Sequence, residues 1–249
     1  ENWMSGYLPP LFQGTSIKSE GTPMLHLKPD FEEPAGVSAA KHNLLNALDQ
    51  IHKAERPNQH VLDSRIANYQ MAARMQVEAA EALDVSKETE TTRKQYGIGE
   101  KVTDNFGKRC LMARRLVERG VRFVQIYPKG QMWDNHDNIK TSLPAACKQS
   151  DLPTAGLLRD LRQRGLLDDV LILWGGEFGR LPMAQGEYVK AGRDHGPSGF
   201  TNWMAGGGVK GGTVYGETDD IGFGAVKNRV SIQDWHATVL HLLGMGHEK

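Results

Sequence analysis

The chain has 249 residues, with 30 Lys and Arg balanced by 30 Asp and Glu, so its formal net charge is zero. That length accommodates one large α/β domain or two smaller ones, and the charge balance excludes bulk attraction to nucleic acid or to an anionic membrane. Cys110 and Cys147 allow at most one disulfide and form no CxxC pair, and no run reaches the roughly 18 apolar residues of a spanning helix.

Residues 1–36, rich in Pro, Gly and Ser, read as an extended surface segment. The opening Glu1-Asn-Trp-Met-Ser-Gly6 has no initiator Met and no signal-peptide pattern, so the chain reads as a piece of a longer protein. Residues 37–104 read as a helical insertion. Leu44, Leu45, Leu48, Ile51 and His52 fall on one face of a helix. After the break at Pro57, a second helix is expected over 58–84, with Ile66, Tyr69, Met71, Met75 and Ala79 at three- and four-residue intervals. Residues 86–103 are polar, contain Gly97 and Gly99, and read as a connector.

From 105 to 249 the pattern is α/β. A helix over 105–119 is stopped by Gly120, and Val121-Arg-Phe-Val-Gln-Ile-Tyr127 reads as a strand. A helix over 152–164, stopped by Gly165, leads into a strand over 170–174; strand, crossover helix, strand predicts a parallel sheet. Shorter strands are expected over 200–205 and 213–215, joined as a hairpin by the glycine-rich 206–212. A final helix over 231–243 has Ser231 as its N-cap and Gly244 as its terminator.

Carboxylates and histidines follow these strand-like runs, as they do where open α/β sheets build metal and catalytic sites. Asp134-Asn-His136 offers oxygen and imidazole two residues apart, suited to zinc or manganese, although taken alone it reads more readily as a plain turn. Asp137 is a candidate for orienting His136. Glu177 follows an apolar run and two glycines, a position packing does not explain; its alternative is an ion pair with Arg180. The planar fork of Arg180 suits a phosphate or sulfate group. Asp194-His195 sits between Gly192 and Gly196, where a ligand pair and a plain turn are equally good accounts. Asp234 at a helix start is explained by the macrodipole, His236 less well; both are weaker candidates. No P-loop, GxGxxG or Gly-x-Ser-x-Gly pattern is present.

Trp133-Asp-Asn-His136, Trp174-Gly-Gly-Glu-Phe-Gly-Arg180, Gly192-Arg-Asp-His195, the glycine-rich stretch 205–216 and the stretch 234–244 together resemble the domain-of-unknown-function 1501 family, a distant branch of the alkaline phosphatase and sulfatase superfamily. Trp3 to Pro10 shares the resemblance more weakly. The resemblance implies a doubly wound, mostly parallel α/β sheet with a helical insertion and a metal site over the strand ends. Asp134 and His136 would be its first ligand pair, His195 the later histidine, and Glu177 the first member of a second pair, with Asp194 a further candidate. Phe178 stands where that second pair would have histidine, and the superfamily's early Asp and nucleophile would lie before residue 1. Zinc is the first candidate ion, with manganese or calcium as alternatives. The implied activity is metal-dependent hydrolysis of phosphate or sulfate esters, with Arg180 as the catalytic candidate and an anionic small-molecule or polysaccharide ester as substrate. The alternative is a non-catalytic exported structural or binding protein that keeps the fold. The resemblance also implies an extracytoplasmic site, because family members commonly look exported.

Overall fold

The computed structural model describes residues 6, 8, 13–21, 23–24, 34, 36–57 and 59–246, with backbone but not side chains at 60, 68 and 71–80. Trp3 to Pro10 apart from Gly6 and Leu8, most of the expected surface segment, the side chains of Met71, Met75 and Ala79, and His247 lie outside the described residues. The chain divides into two units, 1–87 and 88–249.

The first unit holds helices α1 (Val37–Ala54) and α2 (His60–Leu83), close to the expected bounds. Lys53 pairs with Asp63 at 2.7 Å and Gln70 donates to Asn46 at 3.1 Å, tying the two helices together. The expected core face of α1 is exposed: Leu44, Leu48 and Ile51 are 63%, 53% and 61% accessible. Amphipathic spacing identified a helix here, but a two-helix hairpin covers only one side of each member.

The second unit is built on α3 (Glu90–Gln95), α4 (Asp104–Glu118) and α5 (Ile139–Gln163). The stretch 86–103, expected as a polar connector, contains α3 and Tyr96, which is fully buried. Helix α5 begins 13 residues before the expected Leu152 and carries Pro144 and Pro153 within it. Its buried positions Ala146, Ser150, Pro153, Leu157 and Leu161 form one stripe at three- and four-residue spacing. Packing of that stripe outweighs the breaker tendency of the prolines. Gly156 belongs to the same face because a β-carbon there would overlap the backbone carbonyl of Gln95.

Between these helices lies a buried ionic network. Arg114, with a side chain 1% exposed, meets Glu88 at 2.8 Å, Glu118 at 2.6 Å and Asp160 at 2.9 Å. Arg115 pairs closely with Glu88, and the Tyr96 hydroxyl donates to Asp160 at 2.9 Å. Arg114 and Arg115 of α4 thus face inward, where buried charges persist only when paired. Burial and the Asp160 charge push the Tyr96 hydroxyl well above the usual phenol range.

Three antiparallel two-stranded ladders complete the unit: β1 (Ile172–Trp174) with β4 (Trp203–Ala205), β2 (Gly179–Arg180) with β3 (His195–Gly196), and β5 (Glu217–Thr218) with β6 (Ala225–Lys227). Among the described residues no parallel ladder occurs. The strand expected at 121–127 forms no ladder, so it does not pair with β1; Phe123 is 73% exposed and the Tyr127 carbonyl accepts from Arg109 at 2.6 Å instead. Nor do 206–212 turn a hairpin. β4 pairs back to β1, the Gly207 amide donates to Leu167, and Val214 is 90% exposed outside any strand. Helix α6 (Ile232–Leu242) opens with the expected Ser231 cap, reciprocated by Asp234 in a capping box.

Both cysteines are free, and burial pushes the Cys110 thiol up to about 12. In the folded chain a thiol reagent is therefore expected to modify half-buried Cys147 and spare Cys110 until denaturant is added. Equal modification of both in native buffer would contradict this packing.

Candidate metal centre

The site is carried by a hairpin and a turn. In the hairpin, Arg180 on β2 lies directly opposite His195 on β3, so their side chains share one face. The pairing runs outward through Leu181 N to Asp194 O at 2.8 Å and through Gln185 and Gly192, whose amides donate to each other's carbonyls at 2.9 and 3.1 Å. The turn is a run of tight steps. Asp134 N donates to Gln131 O, Asn135 N to Trp133 O, and His136 N to Asp134 O at 3.0, 3.1 and 3.2 Å. Trp133 anchors it by packing edge-on against Trp174 of β1, which stacks on Trp203 of β4.

Backbone bonds zip the turn to the hairpin: Arg193 N to Asn135 O at 3.0 Å, Asn138 N to Lys190 O at 2.8 Å, and Ile139 N to Ala191 O at 3.2 Å. Gly192 makes this possible. A β-carbon there would overlap the carbonyl of His136 and the amide nitrogen of Asp137.

The result brings Asp134, His136 and His195 together, with one ligand atom from each lying within 4.8 Å of the others. Asp134 Oδ1 is 3.0 Å from His136 Nε2 and 3.4 Å from His195 Nε2, and the two Nε2 atoms are 3.1 Å apart. The three side chains are 32%, 38% and 44% exposed, so the cluster opens to solvent. Phe178 covers one side of the His195 ring, at 4.3 Å between ring centres.

Two further side chains shape the set. Arg180 donates a close hydrogen bond to Asp134. Chiefly through that bond, it holds the Asp134 carboxyl below the usual carboxylate range. Gln185 Oε1 lies 2.7 Å from His136 Nδ1. That contact holds the His136 ring so that Nε2 faces the cluster, as the outer partner of a ligating histidine does. Sequence reasoning missed Gln185; an amide in a polar loop carries no signature until the hairpin register places it. Gln185→Leu is expected to weaken divalent-metal affinity about 10- to 100-fold, measured by isothermal titration. Unchanged affinity would remove Gln185 from the site.

The remaining candidates fall elsewhere. Glu177 is exposed two residues ahead of β2 and outside the convergent trio, and Arg180 pairs with Asp134. Asp194 Oδ1 accepts from the His195 amide at 2.7 Å and stands 3.8 Å from His136 Nδ1, bordering the cluster. Asp137 makes a backbone bridge to Ala191, holding the loop rather than entering the trio. Asp234 is engaged in the α6 capping box, while His236 is exposed on α6.

No described helix is long and apolar enough to cross a membrane. Comparison with curated proteins and with solved structures returns no match. The match to one family model, described as "Protein of unknown function (DUF1501)", runs over residues 1–249, and the chain belongs to that family.

Proposed function

We propose that Asp134, His136 and His195 bind a divalent metal, and that the site serves metal-dependent hydrolysis of phosphate or sulfate esters. The observation that carries this reading is the convergence of one carboxylate and two imidazole donor atoms within 4.8 Å on a solvent-open face. Three protein ligands with an open position are the pattern of catalytic rather than structural zinc sites. The donor set suits zinc first and manganese next; two imidazoles suit calcium poorly.

Bound there, the metal would act as a Lewis acid and offset charge on the transferring group. This chain's own residues do the rest. Gln185 holds the His136 ring, Phe178 covers one face of His195, and the Arg180 fork, now on Asp134, would meet the anionic part of an ester. An alkaline-phosphatase-like doubly wound fold with a helical insertion and an extracytoplasmic location belong to the same proposal.

Metal content by elemental mass spectrometry tests the reading. Near-stoichiometric zinc or manganese is expected in wild type and its loss in His195→Ala, with phosphate or sulfate ester turnover only in the loaded protein. Absence of metal in wild type after reconstitution would contradict it. A second reading, a non-catalytic member keeping one metal, is favoured by Phe178 packing on His195 where a second ligand histidine is expected. Bound metal without turnover of either ester class would support that second reading.

A further inference from the structure

The ligand set already holds a cation, and that cation belongs to the chain. Arg180 Nη2 donates to Asp134 Oδ1. Nη1 lies 3.4 Å from His136 Nε2 and donates to the Arg193 carbonyl at 3.3 Å. Two of the three donor atoms of the trio are therefore engaged by one guanidinium. His136 Nε2 lies 3.0 Å from the Asp134 carboxylate oxygen, beside the same guanidinium. Arg180 thus brings fixed positive charge to the atoms a metal would use. Among charged groups bordering the cluster, Asp194 is held by the His195 amide rather than by Arg180.

A divalent ion on the same atoms is incompatible with this arrangement. It needs the Asp134 oxygen to which the guanidinium donates, and the two cations repel. We propose that Arg180 is a placeholder that competes with the metal for Asp134 and, once displaced, completes a binding site for a tetrahedral oxoanion beside the metal. Cation and oxoanion then bind cooperatively. This rests on the metal reading above and specifies how that site is regulated.

Three features support the second half. The Arg193 carbonyl is a partner outside the ligand set, so the displaced side chain keeps a tether at the site. The Arg180 side chain is 25% exposed, with solvent on its open side. A planar fork that loses a carboxylate is matched by the paired oxygens of sulfate or phosphate. Coupling between two ligands is reciprocal, so an oxoanion must raise metal affinity by the same factor as metal raises oxoanion affinity.

Isothermal titration of the full chain with zinc, with and without sodium sulfate at constant pH and ionic strength, tests this in wild type and in Arg180→Gln. Sulfate is expected to tighten zinc binding to wild type about tenfold. Arg180→Gln is expected to bind zinc about tenfold tighter than wild type in sulfate-free buffer, and to be indifferent to sulfate. Zinc binding no tighter in Arg180→Gln, or wild-type affinity unmoved by sulfate, would overturn the placeholder role while leaving the metal site standing. Zinc binding to neither protein would overturn the metal reading itself. Should the variant lose its cooperative thermal melt, the wild-type sulfate comparison decides alone.

Discussion

Replacing Arg114 with Met is expected to destabilise the protein by about 3–5 kcal/mol, the cost of removing one partner from a buried ion network. The side chain is 1% exposed and faces Glu88, Glu118 and Asp160; Glu88 and Asp160 are only 11% and 6% exposed, so its loss removes a partner from two largely buried carboxylates. For a unit of this size that corresponds to a melting temperature lower by about 10 °C. Arg164→Met offers the contrast. That side chain is 33% exposed and meets the same three carboxylates, Glu88 at 3.7 Å, Glu118 at 3.1 Å and Asp160 at 2.7 Å, so its replacement is expected to cost about 1 kcal/mol. Equal melting temperatures for the two variants would refute the buried network.

The pH dependence carries a definite sign. Burial alone would push the Glu88 carboxyl up, but hydrogen bonds and charges from Arg115 and Arg114 outweigh it and hold the group below its usual range. A carboxylate whose folded pKa is depressed stabilises the fold above its unfolded pKa, about 4.3, and that contribution is lost as pH falls through the folded value. Wild type is therefore expected to lose stability below about pH 4. The deficit of Arg114→Met should narrow over the same range, because protonation neutralises the stranded carboxylate. Denaturant melts at a series of pH values read this directly.

Gly192→Ala is the second large effect, and it strikes the site. The added methyl overlaps the His136 carbonyl and the Asp137 amide, both backbone atoms that cannot swing aside. Either the hairpin separates from the turn at residues 135–139 or the loop distorts. The expected cost is about 1–3 kcal/mol, with loss of metal binding although every ligand side chain remains. Gly211→Ala is the control, because a β-carbon there meets nothing within 4 Å. Normal metal affinity in Gly192→Ala would mean that contact between turn and hairpin does not assemble the trio.

Local signals in the sequence were read well where local physics decides. The helices α1, α2, α4 and α6 follow from apolar spacing, a proline break, a glycine stop and the Ser231 cap. Helix α5 was half hidden, because Pro144 and Pro153 speak for a break while the buried stripe through Pro153 speaks for continuity. Strand pairing was not legible. Val121 to Tyr127 has strand composition, but composition cannot supply a partner, and the segment stays unladdered. Asp134, His136, Asp194, His195 and Arg180 were recognisable as chemistry-bearing residues. Their selection into a trio with one arginine depends on the register that sets Arg180 against His195 and on the approach allowed by Gly192. The same register leaves Glu177 ahead of the ladder, although its place after an apolar run made it a strong candidate. Charge on a helix normally marks a solvated face; only tertiary contact with Glu88 and Asp160 reveals Arg114 of α4 as core.

The most direct test of the central claim is X-ray absorption at the zinc edge on the zinc-loaded full chain. Two imidazoles and one carboxylate are expected around the ion at about 2.0–2.2 Å, with the outer-shell scattering of two histidine rings, falling to one ring in His195→Ala. A spectrum without imidazole scattering, or one unchanged by that substitution, would contradict a metal centre built from Asp134, His136 and His195.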